Sequence, residues 1–355
     1  NISDIYLQNG QWLNTIEIIA VSDLDLEKAA KQADAFNILQ VCTVDEMLSN
    51  PEVEIVLNLT TPEAHGPVAM ASLKAGKSVY NEKPLALTRD EAHSMLALAQ
   101  QRGLLIGCAP DTVMGAGIQT CRQLIDSGAI GKPVAATAFV MGPGHESWHP
   151  NPAFFYQPGG GPMFDMGPYY LTTLINLLGP VTAVSGMVTK GQTQRTITSQ
   201  PLAGQKIDVQ LPTHVAGLMT FENGAVCTIV TSFDVPGHEH PFIEIYGTEA
   251  TISVPDPNTF GGPVRLKRRG EAWQEIPLRY DYAGNSRGLG LADMAAALRD
   301  GQMRHRANGE IAYHVLDLMW AFHDAAEQGK QITLQSHCNY PEPMPAYPVF
   351  GESNF

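Results

Sequence analysis

The chain has 355 residues, of which 44% are hydrophobic and only 16% are charged, and its formal net charge is −14. A chain of this length and apolar content can bury the cores of about two domains, which excludes an intrinsically disordered protein. The acidic balance argues against nucleic acid and anionic membranes as partners. No apolar stretch approaches the roughly 20 residues that span a bilayer.

The first third of the chain alternates short apolar runs with helical stretches. The predicted strands are 16–21, 53–59, 77–80 and 104–108, and the predicted helices are 27–36, 67–75 and 89–102. Alternation of apolar strands with helices is typical of a parallel sheet covered on both faces. We therefore predict a doubly wound α/β domain over residues 1–112.

After residue 109 the pattern changes to that of an open sheet with tight turns. Helices are predicted at 115–126, 164–178, 291–299 and 310–328, strands at 133–141, 181–188, 214–221, 225–233, 242–246 and 250–254, and a loop at 142–162. Glu222-Asn223-Gly224 is a hairpin signal between two of these strands. We predict an α+β domain at 113–334 with a large, mostly antiparallel sheet, a cap or turn at 287–290, and an irregular tail at 335–355. Ligand pockets favour the interface between two such domains.

Asp23 comes directly after the first predicted strand. In a dinucleotide-binding fold, an acid at the end of the second strand accepts hydrogen bonds from the adenosine ribose and repels a 2′-phosphate. A turn or helix-cap role is the alternative, because Asp25 immediately precedes a helix. The glycine-rich turn expected about 20 residues earlier is not in the sequence, so residues 1–14 predict a helix entered from a turn upstream of Asn1.

Two further groups of residues could carry chemistry. Glu82-Lys83-Pro84 follows the strand at 77–80, and open α/β sheets bind ligands at the carboxyl ends of their strands. A surface turn is the alternative for this tripeptide. Asp165 and Tyr169 are four residues apart, so on one helix they share a face. A helix cap and a packing tyrosine are the alternative there.

The loop at 142–162 carries His145, Trp148 and His149. The indole could stack on a sugar ring while the histidines bond its hydroxyls, or the three could simply anchor an ordered loop. With His238 and His240 the histidines could ligate a metal, but no acidic or cysteine partner has matching spacing. The five cysteines lie far apart without a CxxC pair. We therefore predict no metal site and a reducing, cytoplasmic location.

Six segments in succession match the pattern of one family. They are NIS (1–3), VSD (21–23), NLTTPEAH (58–65), AGKSVYNEKPLA (75–86), IDSGAIGKPV (125–134) and GGGPMFDMGPYY (159–170). In this combination the chain resembles the Gfo/Idh/MocA oxidoreductases, NAD(P)-dependent enzymes acting on sugars, inositols and related polyols. The resemblance extends to about residue 330. It implies a Rossmann-type first domain and hydride transfer between NAD and a secondary alcohol of a sugar, an inositol or a related polyol or glycoside.

The resemblance also implies which residues hold the cofactor. They are Asn1, Ile2, Ser3, Asp23, Thr60, Pro62, His65, Glu82 and Lys83. The first three look like the tail of the family's glycine-rich loop, and Asp23 favours NAD over NADP. The lysine of the family's EKP motif lies beside nicotinamide and substrate, and its Lys–Pro peptide is often cis.

Asp165 matches the aspartate of the family's DxGxH pattern, but Tyr169 stands where the histidine is usual, as in some branches of the family. Alcohol oxidation needs a base for the hydroxyl proton. An unperturbed phenol has a pKa near 10, too high for a base at pH 7, and a neighbouring ammonium such as that of Lys83 stabilises a phenolate. We predict Tyr169 as the acid/base, Lys83 as its electrostatic partner and Asp165 as the orienting residue. The alternative is Lys83 itself as the proton carrier. The substrate-binding residues implied are Lys83, Trp148, His149, Asp165 and Tyr169.

Two other functions remain open at this point. One is an NAD-dependent enzyme that cleaves or epimerises a glycoside through transient oxidation, and the other is a catalytically silent NAD-binding sensor. Because the exposed face of an open sheet needs covering, and relatives commonly associate through it, we also expect a homodimer or homotetramer formed through the sheet.

Overall fold

The structure is a computed structural model and describes residues 2–351. The helices in this range are α1 Ile2–Asn9, α2 Leu26–Phe36, α3 Val44–Ser49, α4 Pro62–Lys74, α5 Arg89–Arg102, α6 Ala116–Asp126, α7 Pro162–Asp165, α8 Gly167–Leu178, α9 Leu289–Arg299 and α10 Gly309–Gln328. The strands are β1 Ala20–Val21, β2 Gln40–Val41, β3 Ile55–Asn58, β4 Ser78–Asn81, β5 Ile106–Cys108, β6 Pro133–Met141, β7 Val181–Thr189, β8 Gln194–Thr196, β9 Lys206–Asp208, β10 His214–Phe221, β11 Val226–Ser232, β12 Ile243–Gly247, β13 Ala250–Val254, β14 Val264–Arg268, β15 Gln274–Ile276 and β16 Ile332–Thr333.

The first part of the chain folds as the predicted parallel α/β unit. Strands β3, β4 and β5 form one parallel sheet, and β1 and β2 form a second, shorter parallel pair. All four residues of β4 are buried, as expected for a strand covered on both faces. Helix α5 begins where the Thr88 hydroxyl accepts from the Glu91 N–H and ends at Gly103, whose φ of 64° closes the last turn. These carboxyl strand ends bring the EKP segment to one edge of the sheet.

Two predicted elements of this unit had wrong boundaries. Of the strand expected over 16–21, only Ala20 and Val21 pair with a neighbouring strand, because the partner β2 is two residues long. The helix expected to start at residue 67 begins at Pro62, since proline at the first turn costs no hydrogen bond. Pro67 lies inside α4 without ending it.

The second part of the chain contains a nine-stranded sheet within the described residues, in the order β15-β14-β13-β12-β6-β11-β10-β7-β16. Only the β11–β6 pair among its neighbours is parallel, which confirms the mostly antiparallel prediction. The turn at 222–224 joins β10 to β11 as expected, and Gly224 takes a φ of 87° there. The hairpin-like pair β8–β9 and the outer strands β14, β15 and β16 were not predicted.

One face of the large sheet packs against helices. Every residue of α8 is buried. Helix α10 lies close to β7 and β10 because these strands carry Gly186 and Gly217 opposite each other, and a Cβ at either position would meet Phe322 within 2.6 Å. The residues after β16 form no regular element up to residue 351, as predicted. They nevertheless pack: Phe350 is buried, and its carbonyl accepts from the Asn14 N–H at 2.9 Å. The tail therefore ties the second part of the chain back to the first.

Candidate active site

Lys83 lies at the carboxyl end of β4 and reaches across to Asp165 in the second domain. Its Nζ donates to the Asp165 carbonyl oxygen at 2.6 Å and to Asp165 Oδ1 at 3.1 Å. Both side chains are largely buried, with 17% and 15% of their surfaces exposed. The Lys83–Pro84 peptide is cis. The structure thus brings together two of the three residues expected to carry the chemistry, although they are 82 positions apart.

Burial and charge oppose each other at this ion pair. Burial disfavours the ammonium of Lys83, but the carboxylates of Asp165 and Glu82 outweigh burial and raise its pKa. Burial likewise disfavours the Asp165 carboxylate, but Lys83 and a hydrogen bond from His145 outweigh it and lower the pKa of Asp165 to about 2. At neutral pH the lysine therefore carries its proton and the aspartate does not.

Tyr169 faces the same ammonium, although not in the way the spacing predicted. The expected single helix over 164–178 is broken at Met166, so α7 ends at Asp165 and Tyr169 belongs to α8. The shared helix face was therefore wrong, because Gly167 and Pro168 start a new helix instead of continuing the first. Tyr169 and Asp165 nevertheless approach the same ammonium, because Lys83 Nζ lies 5.1 Å from the centre of the Tyr169 ring.

Arg287 approaches Tyr169 from another direction. Its charge interacts with Tyr169, and its guanidinium donates to Asn258 Oδ1 at 2.7 Å. Burial disfavours its charge, but Tyr169 and Asp111 outweigh burial and raise its pKa. The predicted turn at 287–290 is present, with Gly288 as the N-cap of α9. Arg287 was not predicted as a site residue, because an arginine in a glycine-containing turn has no spacing pattern that links it to a distant tyrosine.

His145 is a second residue whose role the sequence underestimated. Its Nε2 lies 3.2 Å from Asp165 Oδ2, on the oxygen that Lys83 does not hold. The ring stacks on Phe155 with centroids 3.8 Å apart. The loop was expected to supply histidines for substrate hydroxyls, but the structure directs this one at the aspartate.

The residues expected along the cofactor cleft are connected by a buried polar network. His65 Nδ1 lies 2.6 Å from the Pro84 carbonyl oxygen and its Nε2 lies 3.2 Å from the Thr60 carbonyl oxygen. Burial lowers the pKa of His65. The Thr60 hydroxyl donates to Asn58 Oδ1 at 2.7 Å, and Asn58 in turn donates to Asn81 Oδ1 at 3.0 Å. His65 therefore supports the shape of the cleft through its contacts with these two carbonyl oxygens.

Glu82 is buried, and both of its carboxylate oxygens accept hydrogen bonds. Its Oε1 accepts from the Tyr6 hydroxyl at 2.8 Å, and its Oε2 accepts from the Lys83 backbone N–H at 3.1 Å. Tyr6 lies on α1, so Glu82 anchors that helix to the EKP segment. Of the three residues expected at the glycine-rich loop, Ile2 and Ser3 start α1, and Asn1 lies outside the described residues.

Asp23 lies exposed just beyond the end of β1, where an adenosine ribose would be held in a dinucleotide-binding fold. Its Oδ1 accepts from the Asp25 N–H at 2.8 Å, and Asp25 caps α2. The adjacent Ser22 Oγ is buried and has no hydrogen-bond partner within residues 2–351. The turn role and the ribose role of Asp23 are therefore compatible, because the turn uses only one carboxylate oxygen.

A cleft of about 230 Å³ opens beside the ion pair. Its lining residues are Pro62, Lys83, Pro84, Phe154, Phe155, Gly159, Gly160, Phe164 and Asp165. Trp148 and His149, which were expected at the substrate, are not among these lining residues. Trp148 is 63% exposed, and the His149 ring packs edge-on against Phe154 and Phe155. Phe154 and Phe155 were not singled out in the sequence, where an FF pair is typical of any core.

Within the described part of the chain, His, Cys, Asp and Glu side chains form no group of three that could hold a metal ion. No helix there has the length and apolar character needed to cross a bilayer.

Two family models match the chain in succession. Residues 2–109 match an oxidoreductase family with an NAD-binding Rossmann fold, and residues 118–253 match the GFO/IDH/MocA C-terminal domain. The chain belongs to the Gfo/Idh/MocA oxidoreductase family. The predicted fold class and family are therefore confirmed, and the first unit of the structure is an NAD-binding Rossmann domain.

Individual relatives are distant in sequence and close in fold. The 1,5-anhydro-D-fructose reductase of Ensifer adhaerens is 27% identical over 66% of this chain and 67% of its own length. A dTDP-3,4-didehydro-2,6-dideoxy-alpha-D-glucose 3-reductase of Streptomyces antibioticus is 30% identical over 51% of this chain and 55% of its own length. The aligned part of the chain thus spans about half to two thirds of these relatives. The solved structure of levoglucosan dehydrogenase in complex with NADH and L-sorbose superposes with a TM-score of 0.79 over 94% of each chain, at 18% identity.

Proposed function

We propose that this protein transfers a hydride between NAD and a secondary alcohol of an uncharged, single-ring sugar or polyol. The observation that carries the proposal is the buried Lys83–Asp165 ion pair, with the Tyr169 ring over its ammonium, at the wall of a cleft beside a Rossmann sheet. Buried titratable groups held by specific partners in a cleft are what acid–base chemistry requires.

In the proposed reaction Tyr169 accepts the hydroxyl proton of the alcohol. The ammonium of Lys83 and the guanidinium of Arg287 place two positive charges near this tyrosine. Lys83 is a poor proton carrier in comparison, because its neighbours raise its pKa and keep it protonated. Asp165 holds the ammonium in place by accepting two hydrogen bonds from it, one at the carbonyl and one at the carboxylate.

Three residues of the Rossmann domain fit a bound dinucleotide. Within residues 2–351, one carboxylate oxygen of Asp23 is available for ribose hydroxyls and the buried Ser22 hydroxyl has no partner, while Pro62 lines the cleft next to Lys83. NAD supplies the hydride acceptor when it is bound. The exposed Asp23 carboxylate would repel a 2′-phosphate, which supports NAD as the cofactor in preference to NADP.

The lining of the cleft supports an uncharged substrate with one ring. Phe154, Phe155 and Phe164 offer apolar faces, and Lys83 is the only cation among the lining residues that the structure describes. That cation is already paired with Asp165. The loop at 142–162 contains neither Lys nor Arg, so a phosphate or diphosphate would find no partner there. The dTDP-sugar specificity in the name of one relative therefore fits this chain less well than a free sugar or an anhydrosugar.

The test is a substrate survey with purified protein, with NAD and NADP offered separately and reduced nicotinamide followed by absorbance. We expect reduction of NAD with at least one uncharged cyclic polyol, and a kcat/KM lower by about 100-fold or more for its phosphorylated counterpart, since a buried unpaired charge is costly. No reduction with any member of the panel would contradict the proposal. Consumption of a glycoside without net NADH would instead support transient oxidation.

Two broader proposals concern the setting of the enzyme. The outer face of the large sheet exposes Met187, Leu218, Val226 and Phe242, and Met187 is 80% exposed. We propose that a second copy of the chain covers this face, because large exposed apolar patches mark interfaces.

A cytoplasmic location is supported by the five cysteines, which are all free and buried.

A further inference from the structure

The Asp165 carboxylate is held from two sides by residues of different elements. Lys83, which follows β4, donates to Oδ1 at 3.1 Å, and His145, from the loop after β6, lies with its Nε2 3.2 Å from Oδ2. The family pattern explains the lysine and the aspartate, but nothing in that pattern assigns the histidine.

The His145 ring is fixed by aromatic packing. It stacks on Phe155 with centroids 3.8 Å apart and planes inclined by 16°, and it meets the edge of Phe233 at 4.6 Å. Only 12% of its side chain is exposed. Because Phe155 and Phe233 both pack against the ring, the ring cannot rotate away from Asp165 without breaking these contacts.

The backbone beside His145 is fixed by a second buried ion pair. Glu146 accepts from Arg195 Nη1 at 2.8 Å and from the Tyr156 hydroxyl at 2.7 Å. Arg195, on β8, also donates to the Pro143 carbonyl at 3.0 Å and to Asp234. The short β8–β9 pair therefore clamps the loop on either side of His145.

We propose that His145 is a positioning residue, which donates a hydrogen bond from Nε2 to Asp165 Oδ2 and thereby holds Asp165 against Lys83. The proton belongs on Nε2, because a bare Nε2 would place two acceptors face to face at 3.2 Å. His145 Nδ1 is buried and has no hydrogen-bond partner in the described range, so a proton there would also lack an acceptor. With both oxygens held, the carboxylate keeps one orientation, and so does the ammonium that faces Tyr169.

The catalytic consequence rests on the proposed function. Loss of the His145 hydrogen bond would free one carboxylate oxygen and loosen the Lys83 ammonium. Misplacement of a catalytic group by about 1 Å can lower a rate by about 100-fold, while the NAD cleft itself is untouched. We therefore expect an effect on kcat rather than on the affinity for NADH.

The test compares three substitutions at one position. His145→Phe keeps an aromatic ring on Phe155 and removes the hydrogen-bond donor. His145→Gln places an amide donor near the Nε2 position, whereas the shorter side chain of His145→Asn does not reach that position. We expect kcat to fall by about 10- to 100-fold in the Phe and Asn variants, with substantial recovery in the Gln variant and unchanged NADH dissociation constants. His93→Phe, at an exposed position of α5, is the matched control.

Wild-type kcat in His145→Phe would overturn the proposal. Equal losses in all three variants, accompanied by weaker NADH binding or a lower melting temperature, would also overturn it, because packing alone would then explain the effect.

A readout without turnover separates this proposal from the proposed function. In ¹⁵N-histidine-labelled protein, the His145 Nε2 resonance, assigned by its loss in His145→Phe, should move in both Asp165→Asn and Asp165→Ser. The Nδ1 resonance should move less. An unmoved Nε2 resonance contradicts the hydrogen bond even if the enzyme is active, whereas a moved resonance supports it even if no sugar or polyol is oxidised.

Discussion

Lys83 donates to Asp165 twice, once to the backbone carbonyl at 2.6 Å and once to the carboxylate at 3.1 Å. The lysine follows a strand of the Rossmann domain, and the aspartate ends the short helix α7 of the second domain. The two bonds therefore join the domains at the point where the proposed chemistry occurs. A site assembled this way exists only when both parts of the chain are folded and packed together.

Tyr169→Phe tests the proposed proton acceptor. Removal of the hydroxyl should lower kcat by about 100-fold or more, the usual contribution of a positioned acid/base group, and NADH affinity should change little. Steady-state kinetics and a fluorescence titration with NADH measure the two effects. Tyr170→Phe, at the buried neighbouring tyrosine, should keep wild-type kcat. Full turnover in Tyr169→Phe, with Lys83→Met inactive, would make Lys83 the proton carrier.

The lowered pKa of Asp165 predicts a pH-dependent stability. The folded protein holds this pKa at about 2, below the value near 3.9 of an unfolded chain. The carboxylate therefore contributes fully at neutral pH, and its contribution of about 2 kcal/mol is lost as the pH falls through 4 toward 2. Urea unfolding of wild type and Asp165→Asn should show a gap in the free energy of unfolding that narrows by about 1 kcal/mol between pH 6 and pH 3. A gap independent of pH would show that the ion pair is not formed.

Asp23 should decide between the two nicotinamide cofactors. Asp23→Ala removes both the ribose acceptor and the charge that repels a 2′-phosphate, so the preference for NADH over NADPH should fall by about 10-fold. Parallel titrations with the two cofactors measure the ratio. Asp25→Ala removes the N-cap of α2 instead and should cost about 1 kcal/mol of stability with no change in the ratio. An unchanged ratio in Asp23→Ala would leave Asp23 as a turn residue only.

The architecture was accessible from the sequence because each domain has its own periodic signal. Apolar runs such as 53–59 and 104–108 alternate with helices, and the turn at 222–224 marks the change to antiparallel pairing. The strand boundaries were less accessible. Strand β1 has only two residues because its partner has only two, and the length of a partner strand is not encoded in the strand itself.

The site was accessible only in part, for a related reason. Lys83, Asp165 and Tyr169 lie in segments with a recognisable family pattern, whereas Arg287 and His145 reach the site through tertiary packing. The break at Met166 was also missed, since four-residue spacing is consistent with one continuous helix. Contacts between distant residues have no local signature unless a motif accompanies them.

Arg195 should matter more to stability than its place in a short strand suggests. It lies buried between the carboxylates of Glu146 and Asp234, so Arg195→Met would leave the buried Glu146 and the partly buried Asp234 without this cation. We expect the free energy of unfolding to fall by about 3–5 kcal/mol, measured by urea denaturation. Arg299→Met removes an exposed pair with Asp300 and should cost less than about 1 kcal/mol. Similar small losses in both variants would mean that Arg195 does not clamp the loop.

The outer face of the large sheet should form the contact between copies of the chain. Met187 on β7 pairs with Ala216 on β10, which pairs with Val230 on β11, and cross-strand partners share one face of a sheet. The double substitution Met187→Glu and Leu218→Glu places charges on this surface, where they would be buried without partners in an assembly. Light scattering should report a dimer or tetramer for wild type and a monomer for the double variant.

Leu39→Glu is the control for that experiment, because Leu39 is fully exposed and lies just before β2, outside the large sheet. It should leave the mass of the assembly unchanged. A monomeric wild type would refute the interface outright. An assembly that persists in the double variant would place the contact on another surface, and the exposed Met187 would then need a different partner.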